Sequence, residues 1–396
     1  MHTAVIGGGA AGFFLAINLK EKLPSMQVSI IEASSQVLSK VRISGGGRCN
    51  CTNTFDGISD LSAVYPRGHR LMKRLFNVFD NHDAMQWFER HGVPLVVQPD
   101  HCVFPASQNS QSIIECFLRL AKVHGISIRT RQRIQSLDEL GHFDFVVIAT
   151  GGSPRGNGLQ WLAKGGHIIE SPVPSLFSLS VGDKHFHGLM GTVCENVIVR
   201  IPGMNYKASG ALLITHWGVS GPVILKLSSY AARALHDMHY NTMLSINWCG
   251  AEESGVRSFI EKMASTNRMK KISSTPYPGL TTRLWAYLLS KSIETKADKR
   301  WDDLSKKEMN RLVNILINDT IAVKGRAPFR DEFVTCGGVS LKSINPSTLE
   351  SRVRPGLYFS GEVLDIDGVT GGFNFQAAWT TAYTVACSIE EKVLSL

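Results

Sequence analysis

Apolar and polar positions alternate in a regular order over the first part of the chain. The apolar run Thr3–Ile6 predicts a strand, and the glycine-rich turn Gly7–Gly12 follows it at once. Apolar residues then recur at helical spacing over Phe13–Leu19, and Pro24 closes this helix. Gln27–Ile31 is a second β-branched run and predicts a second strand. The order strand, glycine turn, helix, strand predicts one βαβ unit.

Later segments show other periodicities. Leu71–Arg90 and Ile113–His124 have the spacing of amphipathic helices, and Phe143–Ala149 has the apolar run of a buried strand. From about 176 to 248, short β-branched runs alternate with Gly and Pro turns, which predicts a small β-rich domain. From 252 to about 319 the pattern is helical, and afterwards the chain returns to glycine-punctuated strands and a last helix from about Asn374.

One helix start in the helical stretch is well marked. Ser305 and Glu308 have the spacing of a capping box, in which each side chain bonds the backbone of the other. Met309, Leu312 and Leu316 follow at the spacing of one buried helix face. We therefore expect a helix that begins directly after Ser305.

Composition narrows the class of protein. The chain has 396 residues, enough for two or three domains, and its hydrophobic content of 43% is enough for a packed core. No uncharged apolar run approaches the roughly 20 residues of a membrane helix, and the N-terminus lacks the pattern of a signal peptide. We expect a soluble cytoplasmic protein with no membrane partner. The eight cysteines include no C-x-x-C pair, so we expect reduced thiols and no metal site.

The glycine turn carries the first chemical signal. Gly7, Gly9 and Gly12 form the pattern G-x-G-x-x-G between a strand and a helix, and Glu32 follows Gly12 at the end of the next strand. Such glycines let the backbone approach a pyrophosphate, which the helix N-terminus binds. The acid accepts hydrogen bonds from ribose hydroxyls and repels a 2′-phosphate, so this is not an NADP site. A glycine turn without a ligand is the alternative.

Two further glycine motifs favour FAD over NAD. The strand Phe143–Ala149 runs into Thr150 and Gly151, and this resembles the second signature of two-dinucleotide-binding-domain flavoproteins. The late segment Gly356–Glu362 resembles their third signature. Gly371 and Gly372 then open the last helix, whose N-terminus would stabilise an anionic reduced flavin. Motifs at both ends of the chain predict a discontinuous FAD domain.

Several longer motifs resemble one bacterial flavoprotein family. They are Ile43-Ser44-Gly45-Gly46-Gly47-Arg48-Cys49-Asn50 with Thr52-Asn53, Val103-Phe104-Pro105 with Ser107, Thr215-His216-x-Gly218-x-Ser220-Gly221-Pro222, Gly337-Gly338-Val339, and Gly361-Glu362-Val363-Leu364-Asp365-x-Asp367-Gly368-x-Thr370-Gly371-Gly372-x-Asn374-x-Gln376. In this order they resemble the BaiN/RdsA-type, aminoacetone-oxidase-like family of the two-dinucleotide-binding-domain superfamily. Cys51 and Cys102 depart from the pattern, and Cys102 stands where an arginine commonly precedes Val-Phe-Pro.

The resemblance implies an α/β fold. It implies a discontinuous, glutathione-reductase-like FAD-binding Rossmann domain, an inserted β-barrel-like domain and a small helical domain. Combined with the patterns above, the expected boundaries are 1–175 for the first part of the FAD domain, 176–250 for the β-rich insertion, 251–321 for the helical domain, and 322–396 for the return through the β-rich domain to the FAD domain.

The motifs and the resemblance together imply a set of FAD-binding residues. They are Gly7, Gly9, Ala10, Ala11, Gly12, Glu32, Lys40, Gly45, Gly46, Gly47, Arg48, Cys49, Asn50, Thr150, Gly151, Gly361, Glu362, Asp367, Gly371, Gly372 and Asn374.

Three functions fit the family. The favoured one is an FAD-dependent reductase that delivers hydride to a conjugated C=C, either in a uracil of 23S ribosomal RNA, giving dihydrouridine, or in an enone such as a 3-oxo-steroid acid. The sequence has one strand–glycine–helix unit, so we expect either that NAD(P)H visits the flavin transiently or that electrons arrive from another donor. The alternatives are a flavin amine oxidase that uses O2 on a small amine, and a non-catalytic flavin-containing factor that binds RNA.

Reduction of a C=C also needs a proton donor. Cys49, with an ordinary pKa of about 8.5, and His216, with one of about 6.5, are the candidate catalytic residues. The alternatives are a packed turn thiol for Cys49 and a core or domain-junction histidine for His216. A redox disulfide between Cys49 and Cys51 is a further alternative, although a one-residue spacer makes a strained ring.

Charge bears on the choice of substrate. The net charge is +9, and Arg67, Arg70, Lys73 and Arg74 lie close together in sequence. Arginines and lysines also cluster at 129–133 and 268–271, and residues 251–321 carry 13 basic and 9 acidic residues. Such a distribution suits a ribosomal RNA partner through phosphate contacts. Ordinary solvated surface charge is the alternative.

Overall fold

A computed structural model describes residues 1–153, 156–293, 299–327 and 334–396. The strands are β1 His2–Ile6, β2 Gln27–Ile31, β3 Thr52–Asn53, β4 Leu95–Val97, β5 Cys102–Pro105, β6 Ser127–Arg129, β7 Phe145–Ile148, β8 Ile169–Ser175, β9 Leu179–Val181, β10 Val193–Arg200, β11 Lys207–Ile214, β12 Gly218–Ser220, β13 Asn241–Asn247, β14 Asp319–Arg326, β15 Val334–Val339 and β16 Leu357–Phe359. The α-helices are α1 Ala10–Lys22, α2 Ser39–Gly47, α3 His69–Leu75, α4 Asn81–Arg90, α5 Gln111–Val123, α6 Gln160–Lys164, α7 Lys184–His187, α8 Pro222–Tyr230, α9 Ala232–Asp237, α10 Glu253–Thr266, α11 Thr282–Ser292, α12 Lys306–Asn318 and α13 Phe373–Leu394.

The chain divides into two compact units. Unit 1 comprises 1–174 and 334–396, and unit 2 comprises 175–333. Unit 1 is therefore discontinuous, as the motifs at both ends of the chain predicted. The division of unit 2 into a β-rich and a helical domain, with boundaries near 250 and 321, stays a prediction.

A parallel sheet organises unit 1. Its strand order is β16-β7-β1-β2-β6, and every neighbouring pair is parallel. The predicted βαβ unit is β1, α1 and β2, with Ile6 opposite Ile31. The late strand β16 lies beside β7, where Phe359 pairs with Ile148. The predicted Rossmann-type fold is confirmed, and its last strand comes from the C-terminal segment.

The core of unit 1 joins helices that are distant in sequence. α1 packs against both α13 and α5. Phe14 of α1 lies 4.5 Å from the Trp87 ring and 5.1 Å from the Trp379 ring, measured between centroids. All three side chains are almost completely buried. Aromatic burial of this kind contributes several kcal/mol, so α13 is fixed on α1 rather than lying loosely on the surface.

The prediction of one helix over Leu71–Arg90 is wrong. The structure has two helices, α3 ending at Leu75 and α4 beginning at Asn81. Asp80 is the N-cap of α4: its side chain accepts from the N–H of Asp83, and the Asp83 side chain accepts from the Asp80 N–H. This reciprocal cap satisfies donors that a continuous helix would have bonded internally, and it sets the break.

Unit 2 contains the inserted barrel. Its strand order β10-β11-β12-β9-β14-β13 closes on itself, and the pairs are antiparallel. The barrel and α10, α11 and α12 share one apolar cluster that includes Val199, Leu284, Leu312 and Val323. The barrel-like insertion predicted in the fold class is confirmed.

The helix predicted after Ser305 is present as α12. The Ser305 side chain accepts from the Glu308 N–H and the Glu308 carboxylate accepts from the Ser305 N–H, as in the predicted capping box. Leu312 and Leu316 are fully buried on its inner face. Among the described residues, none of the helices combines the length and the apolar character needed to cross a membrane.

Candidate functional site

The glycine turn after β1 leaves space only where a ligand would lie. A methyl group built on Gly7 would lie 2.3 Å from the Ala149 carbonyl oxygen, and one on Gly12 would lie 2.0 Å from the Gly7 oxygen. At Gly9, by contrast, such a methyl would meet nothing within 4 Å. Gly7 and Gly12 therefore let backbones approach each other, whereas Gly9 faces open space.

The open space lies at the N-terminus of α1. Gly9 is the N-cap of this helix, and no side chain caps it. Ala10, Ala11 and Gly12 form the first turn, where N–H groups have no partner within the helix. Free N–H groups and the positive end of the helix dipole are what a pyrophosphate needs.

Glu32 is positioned at the tip of β2 beside this turn. One carboxylate oxygen accepts from the Gly8 N–H at 2.8 Å and the other from the Ser34 N–H at 2.7 Å. Leu38 in turn donates its N–H to the Gly8 oxygen at 2.8 Å. A carboxylate oxygen has a second lone pair, so Glu32 can hold the turn and still accept from a ribose hydroxyl.

The end of β16 is brought against the start of α1. A methyl group on Gly361 would lie 2.8 Å from the Ala11 side chain. The next residue, Glu362, forms an ion pair with Lys40 at 2.7 Å and accepts from the Thr335 N–H at 2.9 Å. Burial by itself raises the pKa of Glu362, but Lys40 and the backbone donors outweigh it and hold that pKa below its usual range. Glu362 is thus a largely buried carboxylate in its charged form.

The turn after β7 meets the same carboxylate. Thr150 is exposed, and Gly151 has a φ of 76°. A methyl on Gly151 would lie 3.7 Å from one Glu362 oxygen, and one on Gly152 would lie 2.8 Å from the other. The structure therefore brings together the ends of β1, β7 and β16, each of which carries one of the three predicted signatures.

The Gly45–Gly47 segment forms an exposed left-handed loop. All three glycines have positive φ, and Gly45 and Gly46 break the helical path of α2. Methyl groups on Gly46 and Gly47 would meet nothing within 4 Å. Arg48 then lies over the Phe104 ring, with 4.3 Å from its guanidinium carbon to the ring centroid. The loop is thus held at its base and open along its glycines.

Asn50 connects this loop to the start of α13. With its amide nitrogen facing the Thr52 oxygen at 2.9 Å, the Asn50 amide oxygen accepts from the Gly372 N–H at 3.2 Å. The Thr52 hydroxyl donates to the Gln376 side chain at 2.6 Å, and the Trp379 indole donates to the Cys51 oxygen at 2.8 Å. These buried bonds fix the loop against the first two turns of α13.

Within the described residues, Asn50 bonds the Gly372 N–H at the N-terminus of α13, and the N–H groups of the first helical turn have no side-chain partner. Gly372 is the N-cap, in a left-handed conformation. Asn374 instead clamps the preceding loop, because its side chain accepts from the Gly368 N–H at 2.8 Å and donates to the Gly368 oxygen at 2.9 Å. This long helix therefore presents a second uncapped N-terminus within unit 1.

Asp367, which the sequence analysis assigned to FAD binding, is buried inside the protein and paired with an arginine. Its carboxylate is fully buried and forms a two-pronged ion pair with Arg67. The neighbouring Tyr65 hydroxyl donates to the Phe373 oxygen at 2.8 Å. As placed, Asp367 stabilises the loop before α13, and its direct contact with FAD stays a prediction.

Cys49 lies beneath the loop rather than on its open side. It has no exposed surface, and its Sγ lies 4.0 Å from the Cys51 Sγ. Burial raises the pKa of Cys51 well above its usual range, and it raises the pKa of Cys102 to about 11. All three thiols are free. A thiol without accessible surface cannot pass a proton to a substrate unless the loop moves.

His216 lies in unit 2, at the tip of the β11–β12 hairpin. Its side chain is exposed, and its ring lies edge-on to Trp217 with centroids 4.0 Å apart. Thr215 closes the hairpin by accepting from the Gly218 N–H at 3.2 Å. The alternative of a core histidine is thus wrong, and His216 is free to meet a ligand at this end of the barrel.

The sequence analysis missed the residues that fix the loops of the candidate site in position without being candidate ligand contacts themselves. Arg67 was assigned only to a basic cluster, and Tyr65 and Trp379 were not singled out. Their partners are far away in the chain, so no local spacing indicates them. The available signal was the acid Asp367 within a glycine-rich motif, which the sequence analysis assigned to FAD binding and not to an ion pair.

The residues present fit FAD. Two uncapped helix N-termini, α1 and α13, lie in one unit, and the carboxylate of Glu32 stands where an adenosine ribose would be held. Among the glycines predicted to bind FAD, Gly9, Gly46 and Gly47 have open space beside them. The arrangement suits an extended dinucleotide with its diphosphate at α1 and its flavin toward α13.

Comparisons with known proteins give relatives along the full chain. The chain is 27% identical to the ribosomal RNA dihydrouridine synthase of Escherichia coli, over 96% of each protein. It is 26% identical to the ribosomal RNA dihydrouridine synthase of Haemophilus influenzae, over 98% of each. It is 24% identical to the 3-dehydro-bile acid delta(4,6)-reductase of Clostridium scindens, over 98% of each.

A solved structure shares the fold. The 3-ketosteroid delta1-dehydrogenase of Sterolibacterium denitrificans superimposes with a TM-score of 0.51 at 9% identity, covering 98% of this chain and 99% of that one. In sequence, the family model described as HI0933-like protein Rossmann domain matches residues 1–388 of this chain. The family resemblance found in the sequence is thereby confirmed. Because this family model covers almost the whole chain, the chain belongs to the HI0933-like family of FAD-dependent oxidoreductases.

Proposed function

We propose that this protein reduces a C=C conjugated to a carbonyl, and that its substrate is a uracil in 23S ribosomal RNA, which becomes dihydrouridine. The observation that carries the proposal is the pair of uncapped helix N-termini in unit 1, which fits FAD and its anionic reduced state. Action on ribosomal RNA would place the protein in the cytoplasm.

The relatives support this type of reaction. One is named for forming dihydrouridine in ribosomal RNA and another for reducing the delta(4,6) bonds of a bile acid. Chemically, both add hydride and a proton across a C=C activated by a carbonyl. The reaction proposed for this chain is the step that the two relatives share, although their substrates differ.

The chain's own residues supply binding and electrostatics. FAD, when bound and reduced, supplies the hydride. The N-terminus of α13 would stabilise negative charge near the flavin, because its dipole and free N–H groups are held in place before any charge develops. Asn50 and Trp379 keep this helix end from moving. Lys40, 54% exposed and paired with Glu362, would keep that carboxylate charged beside the cofactor.

The proton donor stays a proposal. His216 is exposed at a hairpin tip and can reach a ligand, whereas Cys49 must first be uncovered. We expect Cys49→Ala to leave FAD binding intact, and turnover should fall sharply only if its thiol donates the proton. His216→Asn is the matched test. Unchanged turnover in either variant would remove that residue from the mechanism.

Charge favours RNA over a small enone. The net charge of +9 attracts a polyanion, while a 3-oxo-steroid acid needs one or two cations. An enone of that kind is the second candidate, because one full-length relative is named for a bile-acid substrate. Loss of RNA reduction with retained reduction of the enone would favour it.

One experiment separates these functions. The purified yellow protein is reduced anaerobically with NADH and with NADPH, and candidate acceptors are then added. We expect NAD(P)H to reduce the flavin and unmodified 23S ribosomal RNA to reoxidise it with formation of dihydrouridine. Reoxidation only by O2 after reduction by a small amine would indicate an amine oxidase. A flavin that no donor reduces would indicate a non-catalytic RNA-binding factor.

A further inference from the structure

A cavity outside the flavin site lies beside the short helix α3. Its volume is about 290 Å³, near the lower end of the roughly 300–1,000 Å³ of ligand pockets. The residues that line this α3 pocket are Arg70, Leu71, Arg74, Leu341, Ile344 and Pro346. All six lining residues belong to unit 1, so the pocket is formed without any residue of unit 2.

The pocket carries concentrated positive charge. Arg70 and Arg74 lie one helical turn apart and are both exposed, and Lys73 is exposed beside them. Within the described residues, no carboxylate forms an ion pair with any of the three. Like charges at this spacing destabilise a helix, so folding alone does not favour them. Arg74 is already oriented, since its Nη1 donates to the Ser347 hydroxyl at 2.8 Å.

The floor of the pocket is apolar. Leu71 and Ile344 are buried, and Leu341 and Pro346 are half-buried. Arg352 fixes this wall, because its Nε donates to the Ile344 oxygen at 2.8 Å. Guanidinium groups above an apolar floor suit a phosphate attached to a sugar and base, since arginine binds phosphate in a bidentate manner and the floor accepts the less polar part.

The α3 pocket is rigidly connected to the start of α13. Arg67, one turn before the pocket, is paired with buried Asp367. The Val369 N–H donates to the Val64 oxygen at 2.8 Å, and Tyr65 bonds the Phe373 oxygen. A polymer held at the pocket is therefore held at a fixed position relative to the flavin end of unit 1.

We propose that the α3 pocket binds the sugar-phosphate backbone of the ribosomal RNA substrate, with Arg70 and Arg74 each on one of two neighbouring phosphates. This inference rests on the proposed function and assigns it a binding surface. A small enone has no need of this pocket, so reduction of an enone does not depend on it.

The test compares two neutralised variants of the FAD-loaded protein. Arg70→Gln/Arg74→Gln removes the pocket's charge, and Lys122→Gln/Lys164→Gln removes two exposed charges that lie outside the basic clusters, at the ends of α5 and α6. The probe is an unmodified 23S ribosomal RNA transcript, with affinity measured across a salt series. Dihydrouridine formation and the flavin spectrum are followed in parallel.

Two phosphate contacts predict a distinct signature. The slope of log affinity against log salt should become shallower by about 1.4–1.8 in the pocket variant, because each contact contributes roughly 0.7–0.9. Affinity near physiological salt should fall roughly tenfold, with dihydrouridine formation falling alongside it at limiting RNA. Flavin content and reduction by NAD(P)H should be unchanged, and the Lys122→Gln/Lys164→Gln variant should resemble the wild type.

Three outcomes would overturn the inference. Equal losses in both variants would show that binding follows net charge, and no loss in the pocket variant would show that the pocket is not used. Absence of RNA binding by the wild type would remove both the pocket assignment and the RNA substrate. Wild-type binding that weakens in the pocket variant, but without any dihydrouridine, would support the pocket and refute the proposed reaction.

Discussion

Replacement of Gly9 by alanine should weaken FAD binding and leave the stability of the fold almost unchanged. Gly9 has φ −93° and ψ −166°, which any residue adopts, and a methyl group there meets no protein atom within 4 Å. The added carbon would therefore enter the space in which we propose that the diphosphate lies. In Gly12→Ala the same methyl would lie 2.0 Å from a backbone oxygen and would disturb the fold itself.

The magnitudes follow from this geometry. In the free protein, alanine is a poorer N-cap than glycine, but it also lowers the entropy of the unfolded chain, so we expect Gly9→Ala to change the free energy of unfolding by less than about 1 kcal/mol. For FAD, loss of one hydrogen bond to a charged phosphate costs about 1.5–3 kcal/mol, which corresponds to a roughly 10- to 150-fold weaker affinity.

The assay combines urea unfolding of the flavin-free protein with fluorescence titration of FAD. Gly255→Ala is the matched control, because Gly255 is also open but lies within α10 of unit 2. It should bind FAD normally and stabilise its helix by up to about 1 kcal/mol. FAD affinity of Gly9→Ala within threefold of wild type would refute the placement of the diphosphate. Unfolding of Gly9→Ala as severe as that of Gly12→Ala would refute the described turn.

Two further predictions concern ion pairs. Asp367→Asn should lower the free energy of unfolding in urea by about 3–5 kcal/mol, because it removes the buried carboxylate that pairs with the Arg67 guanidinium, and Arg67→Leu/Asp367→Leu should cost less than the single change. A double variant less stable than the single one would contradict this. The Lys299 ammonium and the Ser305 donors lower the pKa of Glu308 to about 2. The pair should therefore stabilise α12 by about 1 kcal/mol above pH 5 and lose this as the pH falls toward 2. Amide exchange in α12 should show the loss in the wild type and not in Glu308→Gln.

Elements with local signals could be predicted from the sequence. The first βαβ unit, α5 and the capped start of α12 each follow from residues within one or two turns of each other. The glycine turn for which we propose a role in FAD binding could also be predicted, because turn, strand and helix signals coincide at Gly7–Gly12. In these regions local propensity and tertiary packing favour the same structure.

Features set by distant contacts could not be predicted. The break between α3 and α4 depends on Asp80, whose capping competes with a helical pattern that continues through it. The pairing of Arg67 with Asp367 and the burial of Cys49 under its loop both involve the C-terminal segment. Sequence spacing identified Cys49 as chemically interesting, but exposure is a property of the packed chain.

The position of β16 in the sheet governs how this protein is made. β7 gains its outer neighbour, and α1 its partner helix α13, only after the whole of unit 2 has been synthesised. At about 5–20 residues per second, the nascent chain carries an unprotected apolar strand edge for tens of seconds. The barrel, whose strands are all encoded within 179–326, can close during that interval. Binding of FAD at the proposed site would therefore have to wait until β16 and α13 have been synthesised, and removal of residues 357–396 should yield colourless, aggregation-prone protein instead of a weakened enzyme.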